Sequence, residues 1–371
     1  MQMREAGPTE GPVLPPPTIT IVAVIPAHNE ADRIAAAVRG IRPQVDRVVV
    51  VDDRSTDDTA RVAAGTGAEV FTIHANAHKK AGALNQALTS LLAGLADTDF
   101  VFVQDADSVV AANWIERALE EMNDTRVGAV GGIFVGEAGA GLLGEMQRNE
   151  YTRYARDIAR KKGRAMVLTG TASLFRVGVL RQVAAERGAR LPGVPSTIYD
   201  TAALTEDNEI TLGVKTLGHL VRSPKECTVE TEIMPSWRDL WKQRLRWQRG
   251  AVENLRTYGI TRTTLPYLVQ QIVMIVGLAM MWLYLVLSVL VVAFGTWRWS
   301  PFWLAVGGLF ALERVVTVAR RGWRAMALAL LLVPEMIYDL ILQAVIVRSL
   351  LDTVRGREAT WHHVAPAKGG V

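Results

Sequence analysis

An α/β domain on a mainly parallel, doubly wound sheet, followed by helices that enter a membrane, is the architecture this sequence predicts, and three observations predict it. Short β-branched runs alternate with runs that have apolar residues at helical spacing. Acidic residues collect where the strand-like runs end. From Leu265 onward the chain turns into three apolar runs, each near the ~20 residues a helix needs to cross a bilayer core.

Residues 19–25, 48–51, 69–73, 100–103 and 127–135 read as strands, bounded by Asp, Gly, Asn or Pro. Between them, 31–41, 57–64, 81–95 and 114–122 read as helices. This βαβ rhythm implies a parallel sheet covered on both faces, with ligands bound beyond the carboxyl ends of the strands. No repeat or long linker interrupts it, so residues 18–235 are expected to form one domain. Residues 1–17 are proline-rich, expected to be disordered, and lack the apolar core of a signal peptide or N-terminal anchor.

Residues 236–264 alternate Trp and Leu with Arg and Lys, the pattern of an interfacial amphipathic helix. Trp237, Trp241 and Trp247 would sit at headgroup depth, with Arg238, Lys242, Arg244 and Arg249 toward anionic lipid. Residues 265–351 hold the three apolar runs. The first, 265–294, carries no charge. The second, 301–319, ends near Arg320-Arg321-Gly322-Trp323-Arg324, a cytosolic flank. The third, 325–351, contains Pro334, Glu335 and Asp339, and reads either as a kinked bundle helix or as a segment in the membrane plane. Arg348, Arg355, Arg357 and Lys368 place the polar tail, 352–371, on the cytosolic side, so one run, the third or part of the first, is expected not to span.

Of 371 residues, 50% are hydrophobic and 21% charged, which excludes a disordered or collagen-like chain. The single cysteine, Cys227, excludes an internal disulfide and any multi-cysteine metal site, and reads as core. A net charge of +4, with its basic residues beside tryptophans, points to an anionic lipid surface and not to nucleic acid. His362-His363 has no third ligand nearby in the sequence and reads as solvated.

The first strand runs into Pro26-Ala27-His28-Asn29-Glu30, the second into Asp52-Asp53-Arg54-Ser55-Thr56-Asp57, the fourth into Gln104-Asp105-Ala106-Asp107-Ser108. Each by itself is an ordinary strand-to-helix turn. Asp105 and Asp107 say more, because carboxylates at i and i+2 past a buried strand converge and repel unless a cation joins them. Hard oxygen ligands select Mg²⁺ or Mn²⁺, completed by substrate phosphates. Neither a P-loop nor a dinucleotide fingerprint is present. Asp53 offers an acceptor for the imide N–H of uracil, which favours a uridine diphosphate donor.

Lys79-Lys80-Ala81-Gly82-Ala83-Leu84-Asn85, Thr169-Gly170-Thr171-Ala172-Ser173, Thr205-Glu206-Asp207-Asn208 and Gln243-Arg244-Leu245-Arg246-Trp247 follow in that order. With the acidic strand ends before them, from about residue 18 to the C-terminus, the chain resembles the inverting family 2 glycosyltransferases of GT-A fold. More narrowly it resembles the processive membrane synthases of poly-N-acetylglucosamine, hyaluronan and cellulose. The resemblance implies that Ala27, Glu30 and Asp53 line a uridine pocket and that Lys80 approaches the phosphates. It further implies that Asp105 and Asp107 bind donor and metal, Asp107 most directly. Asp207, beside Thr205 and Glu206, would be the general base, Arg246 would stabilise the leaving diphosphate, and Gln243 and Trp247 would meet the acceptor sugar. Residues 170–173 would be an acceptor-contacting loop.

The expectation is a multi-pass protein of the cell membrane with its catalytic domain in the cytosol, moving N-acetylglucosamine from a UDP donor to a growing β-linked glycan. The family pattern also places spans ahead of the catalytic domain. None precedes residue 19 here, which puts export in doubt and leaves room for an accessory membrane subunit. Two alternatives stand beside it. One is a single-addition transferase acting on a polyprenyl phosphate or an intracellular protein or glycan. The other is a transporter with an ion path through Glu313, Glu335 and Asp339.

Overall fold

The computed structural model describes residues 19–296 and 298–357. Residues 1–17, Trp361, His362-His363 and Lys368 lie outside these. In chain order the strands are β1 (Ile21–Ala27), β2 (Arg47–Asp52), β3 (Glu69–Thr72), β4 (Phe100–Gln104), β5 (Val109–Val110), β6 (Val127–Gly131), β7 (Ile133–Gly136), β8 (Ala172–Arg176), β9 (Leu220–Arg222) and β10 (Thr228–Thr231). The helices of the same domain are α1 (Ile34–Ile41), α2 (Thr59–Gly65), α3 (Lys79–Leu92), α4 (Trp114–Met122), α5 (Gly141–Arg160), α6 (Val177–Glu186) and α7 (Glu206–Thr216).

Seven strands form one sheet in the order β3-β2-β1-β4-β8-β6-β9, parallel except for β8, which runs antiparallel to both β4 and β6. Every residue of β1 and β4 is buried, as continuous apolar strands covered on both faces should be. On one face Val22, Val24, Val101 and Val103 pack with Leu84, Leu88, Leu180 and Ile210 of α3, α6 and α7. On the other, Ala23, Ile25 and Phe102 pack with Ile34, Val38 and Trp114 of α1 and α4. Cys227 is buried there, its thiol directed at the Trp114 carbonyl.

The structure alters the expected elements at two places. The single strand expected over 127–135 breaks at Gly132, where the chain leaves the large sheet for a small one ordered β5-β10-β7. Only glycine fits, because a Cβ there would lie 2.4 Å from Val229 Cγ2. The expected acceptor loop, 170–173, is also divided. Ala172 and Ser173 are buried in β8 at the centre of the sheet, and only Gly170 and Thr171 face the open side.

Beyond the domain come α8 (Trp237–Tyr258), α9 (Leu265–Ala293), α10 (Pro301–Val318), α11 (Trp323–Leu330) and α12 (Val333–Val354). Ser236 caps α8, its hydroxyl accepting from the Asp239 N–H at 3.2 Å. Two helices, α9 and the stretch Pro301–Arg321, are long and apolar enough to cross a membrane. The third run is bent by 73° between α11 and α12, around Leu332 at φ +53°. From there α12 runs along the catalytic domain: Glu335 in its first turn reaches Arg153 of α5, and Arg357 just past its end reaches Arg249 of α8.

Two charge assignments are corrected. Arg244 and Arg249 do not face lipid: both are buried, Arg244 against Glu150 at 2.7 Å and Arg249 against Glu253 at 2.7 Å. Helical spacing defines the faces of α8, but not that α12 covers one of them. Glu335 and Asp339 do not form an ion path. Arg153 donates to both Glu335 oxygens at 2.7 Å, Arg314 to Glu335 at 3.1 Å and to Asp339 at 2.5 Å.

Candidate active site

The carboxyl ends of β1, β2 and β4 open on one cleft of about 1890 Å³, walled further by α3, α5, α7 and α8. Apart from the divided loop 170–173, the site residues expected from the sequence line it: Ala27, Glu30, Asp53, Lys80, Asp105, Asp107, Thr205, Glu206, Asp207, Gln243, Arg246 and Trp247.

At the β1–β2 end, the Asp53 N–H donates to the Ala27 carbonyl at 2.9 Å, locking the two strand ends together. Asp53 Oδ2 accepts from Asn76 Nδ2 at 2.8 Å. Its Oδ1 is buried and accepts no hydrogen bond among the described residues, the nearest charge being Arg54 Nε at 3.6 Å. Glu30 follows β1, its N–H donating to Thr59 Oγ1 at 2.8 Å. Burial, then the charge of Asp107, pushes its carboxyl up to about 7.

Past β4, Asp105 meets Lys80 Nζ at 2.5 Å, and the same ammonium lies 2.8 Å from Glu206 Oε1. Lys80 of α3 thus bridges the β4 end to the start of α7. Burial raises the Asp105 carboxyl although Lys80 opposes it. For Glu206 burial works upward too, but the Lys80 ammonium prevails and holds it below its usual range. Asp107 is not bound to Lys80. Its Oδ1 accepts from Ser108 Oγ at 2.9 Å, and burial, against that bond, raises it. Among the described residues no three His, Cys, Asp or Glu side chains gather as a metal cage, so a cation here would have two protein carboxylates at most.

Asp207 stands in the first turn of α7. Its Oδ2 accepts from the Gly170 N–H at 3.0 Å and its Oδ1 from the Asn208 N–H at 2.8 Å. Burial, then the charge of Glu206, pushes it up to about 6, while Lys80 and Arg246 pull the other way. Thr205, the N-cap residue, makes no side-chain cap, and Asn254 of α8 donates instead to its carbonyl at 3.2 Å. On α8, Arg246 lines the cleft and its charge lowers both Glu206 and Asp207. Trp247 is 37% exposed, with the Arg244 guanidinium 4.4 Å from its ring centre. Gln243 accepts from Arg244 Nη1 at 3.3 Å.

The sequence left several cleft residues unnamed. Asn254, two helical turns after Arg246, donates to the Thr205 carbonyl at 3.2 Å, so helical spacing alone could have found it; Gly250, one turn after Arg246, packs on Thr205 behind the cleft wall. Phe134, Tyr151 and Tyr154 form one aromatic cluster in the wall, with ring centres 4.5 Å and 5.2 Å from Phe134. Nothing in the local sequence announces it.

Residues 22–184 match the family model described as Glycosyl transferase family 2. The poly-beta-1,6-N-acetyl-D-glucosamine synthase of Staphylococcus aureus (strain MSSA476) is 24% identical over 278 residues, 72% of this chain and 63% of that protein. The probable glycosyltransferase YdaM of Bacillus subtilis (strain 168) is 29% identical over 246 residues, 62% of this chain and 54% of that protein. The chain thus spans less than two thirds of the length of these relatives. Among solved structures, the mannosyltransferase PcManGT from Pyrobaculum calidifontis, in complex with GDP-Man and Mn²⁺, superposes with a TM-score of 0.57 at 19% identity, covering 93% of this chain and 90% of that one. The sheet and these likenesses agree on a GT-A fold in which residues 22–184 match the Glycosyl transferase family 2 model, followed by apolar helices that could span a membrane.

Proposed function

We propose that this protein transfers N-acetylglucosamine, or a related hexose, from a uridine diphosphate donor to a growing β-linked glycan, with inversion at the anomeric carbon. One observation carries the proposal. A single cleft joins an acceptor atom with no hydrogen-bond partner among the described residues (Asp53 Oδ1), a diacid (Asp105 and Asp107), a carboxylate raised to about 6 (Asp207), Arg246 and Trp247.

Asp53 Oδ1 accepts the uracil imide N–H, with Ala27 and Glu30 forming the rest of that pocket. The donor set suits a hard divalent cation, Mg²⁺ or Mn²⁺: two half-buried carboxylates lining the cleft leave ligand positions for diphosphate oxygens and water. Asp107, free of Lys80, is the direct ligand; Asp105 shares Lys80 with Glu206 and faces the donor. Such an ion, when bound, neutralises the diphosphate and eases its departure. Asp207 takes the proton from an acceptor hydroxyl as that oxygen bonds to the anomeric carbon, and the bond to the diphosphate breaks with its electron pair leaving on UDP. Arg246 faces that leaving charge. Trp247 and Gln243 hold the acceptor sugar.

The domain works on the cytosolic side. With α9 and α10 as two crossings and α12 laid along the domain, both flanks of the membrane hairpin share one side, as the basic residues Arg348, Arg355 and Arg357 require. The test is to incubate the purified protein with a panel of UDP- and GDP-sugars and Mg²⁺ or Mn²⁺, and to size the product by mass spectrometry. A ladder of N-acetylhexosamine additions from UDP-N-acetylglucosamine is expected. Turnover of a GDP-sugar alone, or a single addition under excess donor, would replace this reading.

A further inference from the structure

Arg244 belongs to no role assigned above, yet it is one of the most enclosed cations in the protein. It is 7% exposed, on the face of α8 next to Trp247. Its guanidinium lies 4.4 Å from the Trp247 ring centre and 5.6 Å from that of Tyr151, between two aromatic walls of the cleft. One nitrogen donates to Gln243 at 3.3 Å, the other to Glu150 Oε2 of α5 at 2.7 Å. The same Glu150 oxygen accepts from the Tyr338 hydroxyl, which belongs to α12. Three residues before Tyr338, Glu335 is seated on Arg153 and Asn149 of α5. The first two turns of α12 therefore grip α5 at two points, and one of them begins a line to the indole, hydrogen-bonded from Tyr338 through Glu150 to Arg244 and closed by the Arg244 guanidinium over the Trp247 ring.

A guanidinium held by Glu150 over an indole face restrains the ring, because leaving the stack would forfeit the attraction between the cation and the ring. A planar group also restrains orientation in a way that an ammonium cannot. We infer that Arg244 is a positioning residue for the acceptor sugar, and that α12 sets the Trp247 platform through Tyr338 and Glu150. This rests on the reading of Trp247 as the acceptor platform and adds to it the group that holds the platform and the helix that controls that group. The donor half of the cleft, from Asp53 to Asp107, shares no residue with this line.

The experiment uses the full chain in detergent or nanodiscs, with UDP-N-acetylglucosamine, a short β-linked N-acetylglucosamine oligomer and Mg²⁺ or Mn²⁺. Tyr338→Phe and Glu150→Gln each remove one link with little change of volume; Arg244→Lys keeps the charge and loses the plane. Acceptor KM is expected to rise by about 5- to 20-fold in all three, with shorter products. Donor KM, and the slow release of UDP without acceptor, stay within twofold of wild type. The double variant Tyr338→Phe/Glu150→Gln should lose no more than the worse single one, since both cut the same line. Unchanged acceptor KM and product length would overturn the inference. So would an equal fall in acceptor-free UDP release, which marks a general loss of structure. If wild type releases UDP but extends no glycan, the acceptor reading of Trp247 itself fails, a result separable from the others because no variant is needed to see it.

Discussion

Gly250 of α8 lies against Thr205: a Cβ built on Gly250 would stand 2.3 Å from the Thr205 hydroxyl and 2.5 Å from its methyl carbon. Both atoms belong to a side chain whose backbone is held by Asn254, so there is little freedom to yield. Thr205 begins the turn that presents Asp207, and the missing methyl group is what lets α8 approach it.

Gly250→Ala should therefore act at a distance. Overpacking of about 1–3 kcal/mol is expected, and the Thr205–Asp207 turn should shift with it. Thermal melting should show a modest fall, while kcat drops by about 10- to 100-fold with donor KM unchanged. Wild-type kcat in a variant that melts lower would show that the turn moves without carrying the chemistry.

Asp107→Asn should remove donor binding and turnover together, and excess EDTA should reproduce this in wild type, because the diphosphate loses its bridging cation. Titration calorimetry with UDP, with and without Mn²⁺, reads binding directly. Full turnover in EDTA would mean that arginine and lysine neutralise the phosphates.

Asp207→Asn should keep UDP-sugar affinity within a few-fold while transfer falls by about 10²–10⁴, the worth of a placed general base. The carboxylate form must be present to take a proton, and burial together with Glu206 raises Asp207 to about 6. Activity is lost as pH falls through 6 and is level above it. A rate profile in kcat/KM measures the inflection, and one near 4 would mean that a bound cation or substrate has cancelled the effect of burial.

Trp247→Ala and Arg246→Ala should separate. The first shortens the product or releases UDP without transfer, because the glycan slips from its ring. The second lowers the rate at every chain length by exposing leaving-group charge. Product length resolved on a gel, at matched extents of donor consumption, distinguishes them; identical length distributions would merge the two roles.

What could be read in the sequence follows from how local each feature is. Asp53, Asp105 and Asp107 were legible because a buried β-branched run announces its own end and a parallel sheet puts its ligands there. Strand β8 was not, because an antiparallel strand inserted between β4 and β6 is specified by partners about 70 and 45 residues away, not by its own five residues. The lipid-facing reading of Arg244 and the ion-path alternative for Glu335 missed the partners of these residues for one shared reason. Periodicity tells which residues share a helix face, and cannot tell whether lipid or another helix covers it. Their partners, Glu150 for one and Arg153 for the other, sit on α5, an element whose pattern the sequence did not single out.

Pro26 and Arg357 line the same cleft, and the two helices that are long and apolar enough to cross a bilayer among the described residues lie between them in the chain. The order of biogenesis is thereby constrained. The strand-end acids can be arranged as soon as the sheet closes, but the rim that includes Thr353, Gly356 and Arg357 is made by residues that follow both α9 and α10 in the chain. A chain that ended before α9 would hold the strand-end acids with an unfinished mouth, so the cleft is complete only once the residues beyond both apolar helices have docked against the domain.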